Sequence, residues 1–196
     1  MLDSALMEWL VRHRWEEANF EKALPAARRL TAPEVEEKWR QMGWGLLGYT
    51  LQKLGKGAEA ATAYVKGLQM ESRTIEVVNG ALFVGEYHTA EKQYDLAIKD
   101  YEATAAIASE VGMLDVQAKA YHGLGAVSEL MENWDDAARF FMSVAVLFDD
   151  PSLSAESLFR AAQAFDKLGK TKEQKQALAE LAERYPDSEW QKRAGQ

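Results

Sequence analysis

The sequence predicts an all-α fold, a solenoid of about five stacked helical hairpins, and three observations carry that prediction. The first is composition. Of 196 residues 47% are apolar and 28% are charged, with only 4 prolines. Alanine, leucine, glutamate and lysine are abundant and β-branched runs are nearly absent, which favours helices over strands and a folded chain over a disordered one. The second is spacing. Ala60, Ala97, Ala137 and Gln174 recur at intervals of 97 − 60 = 37, 137 − 97 = 40 and 174 − 137 = 37 residues, and a fixed period in this range is the signature of stacked repeats. The third is chemistry at fixed offsets. Twelve residues before those four positions stand Gly48, Gly85, Gly125 and Ala162, and four residues after them stand Tyr64, Tyr101, Phe141 and Leu178. Small against large at constant offsets is what two closely packed helices require.

The elements follow in order. Ser4 to Arg12 reads as a short helix broken at His13-Arg14, and Trp15 to Arg29 as a second, with Trp15, Ala18, Lys22 and Pro25 along one edge and a kink at Pro25. Together, residues 1–30 form a degenerate hairpin that caps the stack. Thr31-Ala32-Pro33-Glu34 reads as a helix start, with proline where its missing N–H costs nothing, and that helix runs to Leu54. Gly55-Lys56-Gly57 turns the chain into Ala58–Met70, with Ala60, Tyr64 and Leu68 inside. Ile75–Ala90 leads out and turns near Lys92-Gln93. Tyr94–Val111 returns with Ala97, Tyr101 and Ile107 inside, ending at Gly112 in a left-handed cap. Leu114–Met131 leads out, Glu132-Asn133 turns, and Trp134–Phe148 returns on Ala137, Phe141 and Val144. Asp149-Asp150-Pro151-Ser152 starts a helix to Leu168, Gly169-Lys170 turns, and Thr171–Tyr185 returns. Pro186-Asp187-Ser188 stops that helix and caps a last short one carrying Trp190. The whole is one domain, 1–196, with repeats at 34–70, 74–111, 114–148 and 151–186 and a C-terminal cap at 187–196.

Trp44-x2-Leu47-Gly48, then Leu54-Gly55, Ala60 and Tyr64, and later Leu168-Gly169 and Pro186, resemble the tetratricopeptide repeat. The departures are Gly67, Thr104 and Val144 at the second alanine position and Gln174 at the first. The resemblance covers residues 38–188 and implies a right-handed α-solenoid. Two finer likenesses accompany it. Ala106 to Gly112, leading into Ala120-Tyr121-x2-Leu124-Gly125, is similar to the longer repeats of kinesin-light-chain-type proteins. Leu181 to Ser188 is similar to repeats of bacterial envelope proteins such as the periplasmic coordinator of the Tol-Pal system, which implies a bacterial source.

In this family the outgoing helices line a concave groove that holds a peptide or helix of a partner. Carried over position by position, the groove takes Met42, Gly45, Tyr49 and Gln52 from the first full repeat. The second supplies Asn79, Leu82, Phe83, Glu86 and Thr89. The third gives Lys119, His122, Ala126 and Glu129, and the fourth gives Glu156, Phe159, Arg160 and Gln163. Tyr49, Leu82, Phe83 and Phe159 are the apolar anchors, suited to an amphipathic segment. The carboxylate clamp of the chaperone-tail-binding members is not expected: its places fall on Gly45, Tyr49, Phe83, Lys119 and Gly123, and only Lys119 fits.

Other motifs have plainer readings. Gly43-Trp44-Gly45-Leu46-Leu47-Gly48 spells G-x-G-x-x-G, but a dinucleotide site needs a strand before it, and Glu34–Met42 is helical. Gly169-Lys170-Thr171 lacks the earlier phosphate-loop glycine, because residue 164 is Ala164. His13, His88 and His122 are scattered, and none has a metal partner at helical spacing; His122 faces the groove as a hydrogen-bonding residue. Asp135-Asp136 and Asp149-Asp150 suit helix starts. No nucleophile–base pair or shared carboxylate cleft stands out. Trp44 packs within the repeat, Trp15 and Trp134 begin return helices, and Trp9 belongs to the cap core. Trp39 and Trp190 serve either packing or a partner contact.

These features favour a non-catalytic scaffold or adaptor that binds another protein, without metal or cofactor. The alternative is a self-assembling module, a homo-oligomer formed through repeat ends or exposed tryptophans. A net charge of −8 without a basic cluster argues against nucleic acid. No cysteine is present, so disulfides and thiolate sites are excluded. No apolar run reaches membrane-spanning length, and Met1-Leu2-Asp3-Ser4 lacks the basic start of a signal peptide. The expected location is the cytoplasm, or a bacterial periplasm if a targeting segment has been removed.

Overall fold

Residues 3–148 and 150–195 are described by the computed structural model, which places eleven helices and no strand among them. The expected extension of the cap to Leu2 and the role expected of Asp149 lie outside the described residues. The helices fall into two units. Unit 1, Met1–Glu91, holds α1 (Ser4–Glu16), α2 (Phe20–Leu30), α3 (Glu37–Lys53), α4 (Gly57–Leu68) and α5 (Ile75–Ala90). Unit 2, Lys92–Gln196, holds α6 (Tyr94–Glu110), α7 (Leu114–Leu130), α8 (Trp134–Leu147), α9 (Pro151–Lys167), α10 (Thr171–Arg184) and α11 (Glu189–Ala194). The division falls inside the stretch expected as the repeat 74–111. Within each unit consecutive helices pack as antiparallel neighbours, and outgoing helices also touch the next outgoing helix: α1 with α3, α3 with α5, α7 with α9 and α9 with α11.

The hairpin turns carry the period most plainly. Ala18, Gly55, Lys92, Glu132 and Gly169 all adopt positive φ, between 52° and 72°. They are 37, 37, 40 and 37 residues apart (55 − 18, 92 − 55, 132 − 92, 169 − 132). Glycine reaches this region freely, whereas Ala18, Lys92 and Glu132 each bear roughly 1 kcal/mol of strain there. Gly112, at φ 74°, ends α6 as expected.

The first hairpin departs from expectation. His13 and Arg14 lie inside α1, and the break comes at Glu17-Ala18-Asn19. Trp15 therefore ends an outgoing helix rather than beginning a return one, and its indole N–H donates to Thr50 Oγ1 at 3.1 Å. With that break, Ala23 stands 60 − 23 = 37 residues before Ala60, and Val11 and Ala27 fall in the slots of Gly48 and Tyr64. All three are 0% exposed, so the hairpin keeps the register of the repeats behind it. Helix α2 continues through Pro25. Trp9, expected in the core, is 56% exposed and stacks on His13 at 5.0 Å.

A second departure is the start of α3. Thr31-Ala32-Pro33 does not open it; the helix begins at Glu37, and the Thr31 hydroxyl donates back to Arg28 O at 2.8 Å at the end of α2. On α6, Ala105 and Ala108 are buried while Ile107 is only half-buried. Asp150 caps α9 by accepting from the Ser152 and Leu153 N–H groups, and Ser188 caps α11.

Helix α3 is the hub of unit 1, because its glycines let three neighbours reach its backbone. A Cβ on Gly43 would meet Leu30 of α2 at 2.6 Å, one on Gly45 would meet Glu76 of α5 at 2.6 Å, and one on Gly48 would meet the Tyr64 ring of α4 at 2.7 Å. The G-x-G-x-x-G string is thus a set of packing notches inside a helix. Gln41, fully buried on the same helix, ties down the connection after α4. Its Nε2 donates to Gly67 O at 3.0 Å and also to Ser72 O, and its Oε1 accepts the Thr74 N–H at 2.8 Å. A buried amide satisfied at both ends fixes a loop that has no helical ladder of its own.

Candidate functional site

In unit 1 the outgoing helices α1, α3 and α5 carry two groups of rings, one around Tyr49 and one around Phe83. Tyr49 on α3 lies 4.6 Å from Trp15 on α1 and 6.5 Å from Phe20, with the Lys53 ammonium 5.3 Å over its ring. Tyr64 donates its hydroxyl to Gln52 Oε1 at 3.3 Å, and burial, with the nearby Tyr49, pushes its phenol well above the usual range. Phe83 on α5 stands 5.8 Å from Tyr64 and 6.4 Å from Tyr87. Met42 and Phe83 lean on the unit's core, Leu82 is half-buried, and Asn79 is exposed. Gly45 is sealed against α5 and offers no surface. The Thr89 hydroxyl donates to Gly85 O at 2.7 Å. Glu86 is exposed as a residue, yet enough protein surrounds its carboxylate to raise its pKa, and burial is the sole cause.

In unit 2 four polar residues of α7 and α9 converge. Arg160 donates from Nε to Glu129 Oε2 at 3.0 Å and again from a terminal nitrogen, and to Glu156 Oε1 at 3.2 Å, while its guanidinium lies 4.5 Å over the Phe141 ring. His122 packs edge-on to Phe141 at 5.4 Å. Its Nε2 comes within 3.3 Å of Glu156 Oε1 but makes no aligned hydrogen bond. Burial holds the imidazole pKa below its usual 6.5, Arg160 adds to that, and Glu156 opposes it. Four of the expected groove residues, His122, Glu129, Glu156 and Arg160, are therefore brought together and engaged with one another. Lys119 instead pairs along its own helix with Asp115 at 3.6 Å.

A depressed histidine pKa has a definite sign. The unfolded chain takes up a proton near pH 6.5 that the folded chain refuses, so stability present above that pH is lost as pH falls toward the folded pKa. Relative to a His122→Asn variant, the urea midpoint of the native sequence should fall between pH 7.5 and pH 5. Parallel midpoints across that range would show that His122 is not the group responsible.

Phe159 meets Trp190 of α11 at 5.5 Å, so the C-terminal helix covers much of this expected anchor. Beside it a cavity of about 610 Å³ is lined by Glu129, Trp134, Phe159, Gln163, Lys167 and Arg193, among others. Trp39, in unit 1, lines a separate cavity of about 390 Å³ with Met7, Leu30 and Val35. Sequence reasoning missed the Arg12 guanidinium of α1, which bonds Glu76 of α5 at 2.6 Å and also Glu8. It missed Trp15 as well, and in both cases the misplaced break in the first hairpin hid the residue. Among the described residues no group of three or more potential ligands is placed to hold a metal ion, and no helix is long and apolar enough to cross a membrane.

Stacked helical hairpins with a small-against-large seam are the architecture of the tetratricopeptide repeat, and residues 155–188 match that family's model directly. No curated protein sequence matches the chain. Solved structures of the same fold do. BtubC (BKLC) from P. vanneervenii aligns with a TM-score of 0.71 at 14% identity, over 92% of this chain and 80% of that one. A putative kinesin light chain of Podosopora anserina with TPR-like repeats gives 0.66 at 14% identity, over 94% and 97%. MamA from Desulfovibrio magneticus RS-1 gives 0.70 at 18% identity, over 95% and 97%. At these identities what is shared is the fold, so the chain is a tetratricopeptide-repeat fold.

Proposed function

We propose that this chain is a non-catalytic interaction adaptor that takes a peptide or helical segment of another protein on the faces of its outgoing helices. The observation that carries this reading is a pair of ring contacts, Trp15 with Tyr49 and Phe83 with Tyr87. These side chains are held in place by one another and by Tyr64, and they remain partly open on the outgoing helices. Rigid aromatic anchors give contact area at little cost in entropy. The face carried over for the groove, Met42, Tyr49, Gln52, Asn79, Leu82, Phe83 and Glu86, surrounds them in the sequence pattern.

Tyr49→Ala and Phe83→Glu should each abolish capture of the partner from source lysate while far-ultraviolet circular dichroism stays unchanged. Capture that survives both would reject the reading. One observation favours self-assembly instead. Leu6 and Trp9, a turn apart on α1, are 51% and 56% exposed, and exposed apolar pairs at the end of a repeat array suit stacking. Sedimenting the same preparations over a wide concentration range separates the two, since a monomer throughout excludes self-assembly.

A further inference from the structure

On the outgoing helices of unit 1, rings and carboxylates come with cations from the chain itself. Arg12 bonds Glu76 and lies 6.0 Å over the Trp15 ring, and Lys53 lies over Tyr49. The last two turns of α5 repeat the first two ingredients without the third. Phe83, Glu86 and Tyr87 stand at i, i+3 and i+4, so they share one face. Among the described residues, no lysine or arginine lies within ion-pair distance of Glu86 and none lies over Phe83 or Tyr87. Burial alone acts on the Glu86 carboxylate, with no cation offsetting it. The face also lies near the negative end of α5, where positive charge is favoured.

From this juxtaposition we infer that α5 docks a basic amphipathic segment of a partner protein, with one lysine or arginine seated on Glu86 beside the Phe83 and Tyr87 rings. The inference rests on the adaptor reading and adds the chemistry of the partner. A cation there gains a carboxylate that no lysine or arginine of the chain pairs with and the edge of an aromatic pair, while an acidic segment would meet a like charge. Half-buried Leu82, beside Phe83, offers apolar contact to the next residue of the segment. The chain's net charge of −8 steers such a partner inward.

The test uses the full chain and a displayed library of random 16-residue segments. Segments displaced by Phe83→Ala should be enriched in lysine or arginine flanked by apolar residues. For a synthetic peptide of the enriched sequence, Glu86→Gln should weaken binding about tenfold, and Glu91→Gln, at the exposed end of α5, should leave it unchanged. Enriched segments that are neutral or acidic, or equal loss from Glu86→Gln and Glu91→Gln, would overturn the basic partner while leaving the docking face standing. Enrichment that Phe83→Ala does not displace would overturn the docking face on α5 itself, and the basic partner with it.

Discussion

Gly80→Ala is expected to destabilise unit 1 by about 1–2 kcal/mol, a sizeable share of the stability of a domain this size. A Cβ at Gly80 would press into the Tyr64 ring at 2.0 Å from the α5 side, and the same edge of the ring already lies against Gly48 of α3, so the ring is wedged between the two helices. Tyr64 is 2% exposed, with no room to turn outward. Two effects compete, since alanine favours the helix over glycine by about 1 kcal/mol, whereas overpacking a full core costs about 1–3 kcal/mol and sometimes more. With the ring wedged in this way, overpacking should win. Urea unfolding followed by circular dichroism would show the loss as a lower midpoint. In a Tyr64→Leu background the same Gly80→Ala change should be nearly neutral or stabilising, because the clash is gone. An equal loss in both backgrounds would mean that the ring is not the cause.

Arg160→Met should cost about 2–3 kcal/mol in unit 2. Methionine keeps much of the packing over Phe141, so the loss reports the charge. Arg160 and Glu129 are each about four-fifths buried, at 20% and 19% side-chain exposure, and Glu156 shares the same guanidinium. Removing the cation leaves two carboxylates facing each other with no counter-ion, and a buried pair broken on one side costs far more than an exposed one. Adding Glu129→Gln to Arg160→Met should restore more than half of the loss, measured as urea midpoints. If the second change restores nothing, the arginine acts through packing alone.

The repeated skeleton was legible in the sequence because close helix packing leaves little choice. Gly48 and Gly125 had to be small, since Tyr64 and Phe141 press against them, and four turns advertised themselves by glycine or by polar pairs. The first hairpin was misread because its slots hold Val11, Ala23 and Ala27, which keep the register without the motif, and because its turn residue is Ala18 rather than glycine. The false start at Thr31-Ala32-Pro33 shows a local signal overruled by a local turn. The side-chain pairings were beyond reach for another reason. Gln41 finds its partners 26 to 33 residues away, and Arg160 meets Glu129 across 31. Such pairings depend on rotamers in a packed interface, and no periodicity encodes them. Of the candidate face, Tyr49 and Phe83 followed from the repeat pattern, whereas Trp15, Tyr87 and the mutual engagement of His122, Glu129, Glu156 and Arg160 did not.

Helix α3 meets its neighbours through bare backbone at Gly43, Gly45 and Gly48. Side chains elsewhere on its circumference, such as Tyr49 and Lys53, carry none of those three contacts. Selection can therefore rewrite the helix's outward chemistry without disturbing its seat among its neighbours, so the exposed side of this helix is free to diverge while its packing endures.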